Sequence, residues 1–231
     1  MKHVELPEPP PAAVELFGDR LGRAARYAAL LATDGVERGL IGPREADRIW
    51  QRHLLNSAAV ESLVPDGATV IDVGSGAGLP GIPLALARPD VHVILLEPML
   101  RRTTFLQEAV YAVGVDARVV RGRAEDAAIR DQLAGADVVV CRAVAGLDKV
   151  AEWGLPLLRR GGLLLALKGD RADEEVAQNR RVMSELGAEA VRVVRCGGDY
   201  FDPPATVVIA RRGSAMLPKS LPGRARSGRR S

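Results

Sequence analysis

Two regimes of hydrophobic patterning divide the chain. In AAVELFGDRLGRAARYAALLATDG (12–35) apolar residues return every three or four positions, which predicts a helix with Val14, Leu16, Phe17, Leu21, Ala25, Ala28 and Leu31 along its buried side. GPREADRIWQRHLLNSAAVESLV (42–64) repeats that spacing, with Pro43 suited to a first helical turn. Past the turn signal PDG (65–67) the period shortens. Apolar, β-branched runs now alternate with helical stretches: TVIDV (69–73), HVILLE (92–97), ARVVRG (117–122), DVVVCR (137–142) and GLLLALKG (162–169). Runs apolar on both faces, separated by helices, predict a parallel sheet covered on both sides. A charged helix, DEEVAQNRRVMSELG (173–187), then precedes AEAVRVVRC and ATVVIARR. The gap between those two runs is too short for a crossover helix, so they are expected to pair as an antiparallel hairpin. The expected architecture is α/β: a seven-stranded, mostly parallel sheet whose last strand is antiparallel. A helical cap over residues 1–62 precedes a main domain over 63–212.

The first strand runs into VIDVGSGAGLPGIPLALA (70–87), which holds two overlapping glycine patterns. Gly76, Gly78 and Gly81 spell the GxGxxG of dinucleotide folds; Asp72, Gly74, Gly76 and Gly78 spell DxGxGxG, which resembles the first motif of S-adenosylmethionine methyltransferases. Both cofactors need a strand-to-helix turn where a missing Cβ lets the ligand approach the backbone. The strand ends at Val73, so the turn begins at Gly74 and the GxGxxG reading starts two residues late. Pro80 and Pro83 flank its third glycine, where pyrophosphate needs backbone N–H groups. Asp72, taken to face the loop, would suit a cationic donor and repel pyrophosphate. The methyl donor is therefore the better fit. Glu97, at the end of the second run, stands where an acid can accept hydrogen bonds from ribose hydroxyls, a feature that serves both cofactors.

Composition narrows the classes. At 231 residues one main domain is expected, since single domains run to ~100–200 residues. Aromatics at 3% are too few for a platform on which bases of a single strand stack. No apolar run reaches the ~18 residues of a membrane span, and MKHVELPEPPP lacks the apolar core of a signal peptide; a cytoplasmic protein is expected. Cys141 and Cys196 form no CxxC pair and are expected to be free thiols, without a zinc site. The net charge of +3 is unevenly spread. Residues 211–231 hold seven Lys or Arg and no acid, leaving 25 basic against 29 acidic residues before them. Residues 213–231 are read as a flexible basic tail, either gripping a phosphate backbone or serving solubility alone.

RHLLNS (52–57), DVGSGAGLPGIPLA (72–85), EPMLRRTTFL (97–106), GRAED (122–126), CRAVA (141–145) and LKG (167–169), in that order, together resemble the RsmG family, also called GidB. The resemblance runs from about residue 44 to residue 210. It implies a Rossmann-like S-adenosylmethionine-dependent methyltransferase fold. It also implies transfer of a methyl group from S-adenosyl-L-methionine to N7 of a guanine in the decoding-region loop of 16S ribosomal RNA. Gly74, Leu79, Ala124, Glu125 and Arg142 match positions that contact the donor in that family, and Glu97 matches the ribose-side acid of the wider class. The implied partner is 16S rRNA or the small ribosomal subunit, with no membrane, no metal and a monomeric chain. Asn56 departs from the Asp of many members, and Cys141 from their Ser.

Guanine N7 carries an in-plane lone pair free at neutral pH, so its methylation needs no base and rests on alignment and electrostatics. What the strand ends offer is cationic: Arg123, Arg142 and Lys168 are expected to converge at the carboxyl edge of the sheet as the catalytic group, holding phosphates or guanine O6. Competing features are weaker. A nucleophilic Cys141 beside Arg142 would serve pyrimidine C5 chemistry but lacks the preceding proline of such enzymes. DPPA (202–205) resembles the DPPY motif but follows the wrong strand. His53 and Ser57, four apart, have no acid in the sequence placed to orient the histidine, so a packed histidine is expected. An oxidoreductase and a noncatalytic RNA-binding module are the remaining alternatives.

Overall fold

The computed structural model describes residues 6–214; most of the basic tail read in 213–231 lies outside them. The N-terminal helices are α1 (Pro11–Phe17), α2 (Leu21–Leu30) with a π turn at Leu31–Gly35, a 3-10 turn at Pro43–Arg48, a π turn at Ile49–Leu55, α3 (Asn56–Ala58) and a 3-10 turn at Ala59–Leu63. Strands and helices then alternate: β1 (Thr69–Val73), α4 (Gly81–Ala87), β2 (His92–Glu97), α5 (Leu100–Val113), β3 (Ala117–Arg121), α6 (Ala127–Leu133), β4 (Ala136–Arg142), α7 (Leu147–Gly154), β5 (Leu158–Lys168) and α8 (Ala172–Glu185). The chain closes with β6 (Ala188–Cys196) and β7 (Ala205–Arg212). The sheet order is β3-β2-β1-β4-β5-β7-β6, and β7 runs antiparallel to both β5 and β6. Strand β5 begins four residues before the run read from the sequence.

Alternation along the central strands separates two cores. Val70, Val138, Val140, Leu165, Leu167, Val207 and Ile209 face one side; Ile71, Val139, Cys141, Leu164, Ala166 and Val208 face the other. The first core also contains Phe17, Tyr27, Leu54, Leu55 and Val60, so the N-terminal helices share a hydrophobic core with the sheet. Their buried stripe differs from the one read in the sequence. Val14 is 50% exposed, and the residues buried on α1 and α2 are Ala13, Phe17, Ala24, Tyr27 and Ala28. Gly18, whose φ of 48° ends α1 after Phe17, resets the helical phase between α1 and α2.

Arginines fasten the cap by satisfying carbonyls that helix ends leave without partners. Arg20 donates to Leu86 O at 2.6 Å at the end of α4, while Arg23 and Arg26 donate to Gly114 O and Ala112 O, each at 2.9 Å, at the end of α5. Arg88 works in the reverse direction, from the end of α4 to Glu61 O at 3.0 Å and Val64 O at 2.9 Å, with Asp66 and Asp90 on its remaining nitrogens. Arg88→Met therefore strands two carbonyls at the cap boundary. It is expected to destabilise the protein by about 2 kcal/mol, lowering the melting temperature by about 5 °C for a chain of this size. An unshifted calorimetric transition would remove Arg88 from the fastening.

Candidate functional site

The site forms where β1, β2 and β4 end. Because side chains alternate, Asp72, Glu97 and Arg142 share the cap-facing parity of Val70, Leu95 and Val140. A cavity of about 630 Å³ lies there, floored by the glycine loop and roofed by Leu40, Ile41, Gly42, Glu45, Arg52 and His53 of the cap. Gly74 and Leu79 line it, as do Glu97 and Arg142. Gly74 has a φ of 73°, and a Cβ there would come within 2.5 Å of Val144, so glycine is what lets the loop after β4 close against the loop after β1.

Two buried carboxylates hold the glycine loop. Glu97 Oε2 accepts Gly76 N–H at 3.0 Å and Oε1 accepts Met99 N–H at 3.1 Å. Each oxygen keeps lone pairs for a further donor. Arg102 stands 3.7 Å away, beside the cavity. Asp72 does not face a ligand as the sequence reading supposed. It is fully buried, and its Oδ2 accepts Gly81 N–H at 3.0 Å, bracing the start of α4, while Oδ1 has no partner. Burial, against the hydrogen bond from Gly81, pushes its carboxyl up to about 7. With Gly81 N–H engaged by Asp72, Gly76 N–H engaged by Glu97 and prolines at 80 and 83, the loop has few free amides for pyrophosphate, against the dinucleotide reading.

Arg142 is a partly buried cation of the site. Its guanidinium donates to Ser57 Oγ at 2.7 Å and His53 O at 3.3 Å, and lies 3.3 Å from His53 Nδ1. Burial first, then the charge of Arg52, lowers its pKa to about 10. An acid does orient His53, contrary to the sequence reading: Glu45 Oε2 is 3.0 Å from its Nε2. Glu45 and His53 lie eight residues apart across a change from a 3-10 to a π turn, a pairing no helical repeat signals. Burial, then the Arg142 charge, lowers His53 to about 4. The neutral ring therefore donates from Nε2 to Glu45 and accepts from Arg142 at Nδ1. Ser57 faces Arg142, so His53 and Ser57 form no nucleophile pair.

The three cations do not converge. Lys168 has the parity of Ala166 and points to the opposite face, where Nζ donates to Ala145 O and Glu175 Oε1, both at 2.8 Å. Glu175 Oε1 also accepts Leu147 N–H at 2.9 Å, so this pair fixes the loop between β4 and α7. Arg123 is exposed and stands 3.7 Å from Glu125. Arg123, Ala124 and Glu125 line a separate recess of about 110 Å³ with Val73, Leu96 and Trp153, reached through Gly74 and Pro98, which line both spaces. Trp153 carried no signal in the sequence, because its place here depends on how α7 packs. Cys141 lies in the core behind the sheet; burial pushes its thiol up to about 12, which removes the thiolate that pyrimidine chemistry requires. Among the described residues no cluster of His, Cys, Asp or Glu is placed to hold a metal, and no helix is long and apolar enough to cross a membrane.

Residues 20–201 match the family model described as rRNA small subunit methyltransferase G, GidB. A protein called ribosomal RNA small subunit methyltransferase G from Mycolicibacterium gilvum is 59% identical over 100% of this chain and 99% of its own length. One of the same description from Mycobacterium sp. strain JLS is 61% identical over 97% and 98%. Among solved structures, Aeropyrum pernix fibrillarin with natively bound S-adenosyl-L-methionine aligns with a TM-score of 0.52 at 19% identity, over 69% of this chain and 74% of that one. Aquifex aeolicus tRNA (m1A58) methyltransferase aligns at 0.54 and 13%, over 70% and 69%. These structural likenesses establish the seven-stranded methyltransferase fold.

The raised carboxyl of Asp72 has a signed consequence for stability. Between about pH 4 and pH 7 the folded chain holds a proton there that the unfolded chain has lost, so this group's contribution falls as pH rises. His53, lowered to about 4, acts oppositely between its folded value and its ordinary 6.5. Asp72→Asn isolates the first effect. Its stability relative to the parent is expected to be greater at pH 8 than at pH 5 in urea titrations, and an equal difference at both pH values would contradict the buried-acid assignment.

Proposed function

The chain belongs to the GidB family, rRNA small subunit methyltransferase G, and we infer from its site that it methylates N7 of a guanine in 16S rRNA with S-adenosyl-L-methionine as donor. The observation that carries this reading is the arrangement around Glu97. A buried carboxylate with unused acceptor capacity sits beside a glycine turn, between a large cavity on one side and a small apolar recess on the other. The residues fit the donor. Glu97 would accept its ribose hydroxyls, the recess at Val73, Leu96, Ala124 and Trp153 would take its adenine beside Glu125, and Gly74 and Leu79 would bound the rest.

When bound, S-adenosyl-L-methionine supplies a methyl group on a positively charged sulfur. The chain's residues have no proton to remove, because guanine N7 offers its lone pair directly as the carbon–sulfur bond breaks. Neither neutral His53 nor buried Cys141 is required as a base or nucleophile. Their work is alignment. Arg142, anchored by Ser57 and His53, fixes the wall at the end of β4. Ala143 beside it sits at a φ of 52°, a left-handed conformation that costs a non-glycine residue on the order of 1 kcal/mol and that this anchoring maintains. Lys168 acts as a positioning residue through Glu175 and Ala145, holding the same loop from behind. Arg123 lies at the recess, and its expected contribution is to donor binding or to nearby RNA phosphate, away from the reacting atoms.

Methyl transfer from labelled donor to 16S rRNA, followed by mapping of the modified base, tests the assignment. N7-methylguanine at one position is expected, and labelled pyrimidine or labelled adenine would overturn it. Glu97→Ala is expected to weaken S-adenosylhomocysteine binding at least about tenfold in calorimetry, as befits lost charged hydrogen bonds; unchanged affinity would displace the ribose from Glu97. Arg142→Lys is expected to slow single-turnover transfer at saturating donor and RNA by about a hundredfold, the cost of ~1 Å of misplacement. A full rate in that variant would remove Arg142 from alignment.

A further inference from the structure

A second cavity, of about 380 Å³, opens beside the first. Arg52, Arg142 and Ala143 line both, so the two spaces meet at the end of β4. The second is bounded by Asn56 of the cap, by Leu167–Asp170 at the end of β5, and by Pro203, Pro204 and Thr206 before and within β7. Its size falls within the range of small-molecule pockets, and its walls combine flat apolar surface from two prolines with a few polar groups. Asp170 is exposed, Asn56 half-buried, and neither side chain is hydrogen-bonded to another described residue.

We propose that this cavity seats the acceptor guanine, drawn out of its stack, and that Asp170 reads its Watson–Crick edge. The assignment rests on the guanine reading above and adds the residue that enforces it. Guanine presents N1–H and a 2-amino group as adjacent donors, and a carboxylate accepts both at once. Adenine presents an acceptor at N1 and no 2-amino group, so Asp170 would face a lone pair and a missing partner. The proline faces supply a stacking surface, and apolar stacking joined to hydrogen bonds on the Watson–Crick edge is the combination by which enzymes hold an extruded base. With that edge held at Asp170, the N7 edge is left for the wall formed by Arg142 and Ala143, beyond which lies the donor cavity.

The test compares 16S rRNA carrying guanine at the target position with the same RNA carrying inosine there, which lacks only the 2-amino group. Methyl transfer is measured with the wild-type chain, Asp170→Ala and Asp170→Asn. S-adenosylhomocysteine calorimetry checks each variant, and unchanged donor affinity is expected because Asp170 lies outside the donor cavity. Inosine, which keeps N1–H and loses one of the two hydrogen bonds, is expected to lower kcat/KM of the wild type by at least about tenfold, the worth of one hydrogen bond to a charged group. Asp170→Ala is expected to lower transfer to guanine RNA by a similar factor and then to treat guanine and inosine alike within about twofold. Asp170→Asn, which replaces one acceptor oxygen by a donor, is expected to be no better than alanine on guanine. Equal use of both RNAs by the wild type, or full discrimination surviving in Asp170→Ala, would overturn the proposal. Failure of the wild type to methylate the guanine RNA at all would remove the functional reading and this one with it.

Discussion

The anchoring of the partly buried Arg142 guanidinium is the interaction on which the site depends. Taking a charge out of water costs several kcal/mol unless hydrogen bonds and a suitable environment compensate, and here the compensation comes entirely from the cap: Ser57 Oγ, His53 O and His53 Nδ1. The bond to Nδ1 requires a neutral ring with its proton on Nε2, and Glu45 accepts that proton's hydrogen bond. A strand end, a π turn and a 3-10 turn are thereby locked in one arrangement. The cap gives the large cavity its roof, and Arg142 joins that roof to the floor. Ala143 and Val144, held in place next to it, decide where the two cavities meet and how closely the loop packs on Gly74.

Two acids of like parity, Asp72 and Glu97, divide the work of the glycine turn according to their surroundings. Glu97 meets two backbone donors and opens onto the cavity, so it can serve a ligand. Asp72 meets one donor within the core and has an orphaned oxygen, so it serves the turn itself and carries a raised pKa. The loop is shaped by these occupied amides as much as by its glycines.

Strand runs, hairpin and reversed β7 were legible because each strand's apolar run is continuous and its neighbours leave no other connection. Gly74, Leu79, Glu97 and Arg142 were legible as a group because they cluster at strand ends and in the loop after β1. Side-chain parity was in the sequence too, and it separates Arg142 from Lys168, since Arg142 pairs with Leu167 in register and Lys168 falls one residue beyond, on the other face. The helical cap resisted reading. A positive φ at Gly18 and two π turns break the 3.6-residue phase along the cap, and Glu45 meets His53 without any local repeat. Asp170, Trp153 and the Pro203–Pro204 wall acquire meaning only from the meeting of distant elements.

If Arg142 and Ala143 divide adjoining donor and acceptor spaces, a cryo-EM reconstruction of the chain bound to 16S rRNA and S-adenosylhomocysteine will show it. A single purine is expected extruded between Asn56 and Pro204, with N7 directed past Ala143 toward the donor sulfur and Arg142 still bonded to Ser57 and His53. A target base entering from the Arg123 side, or Arg142 withdrawn from the cap to grip a phosphate, would contradict it.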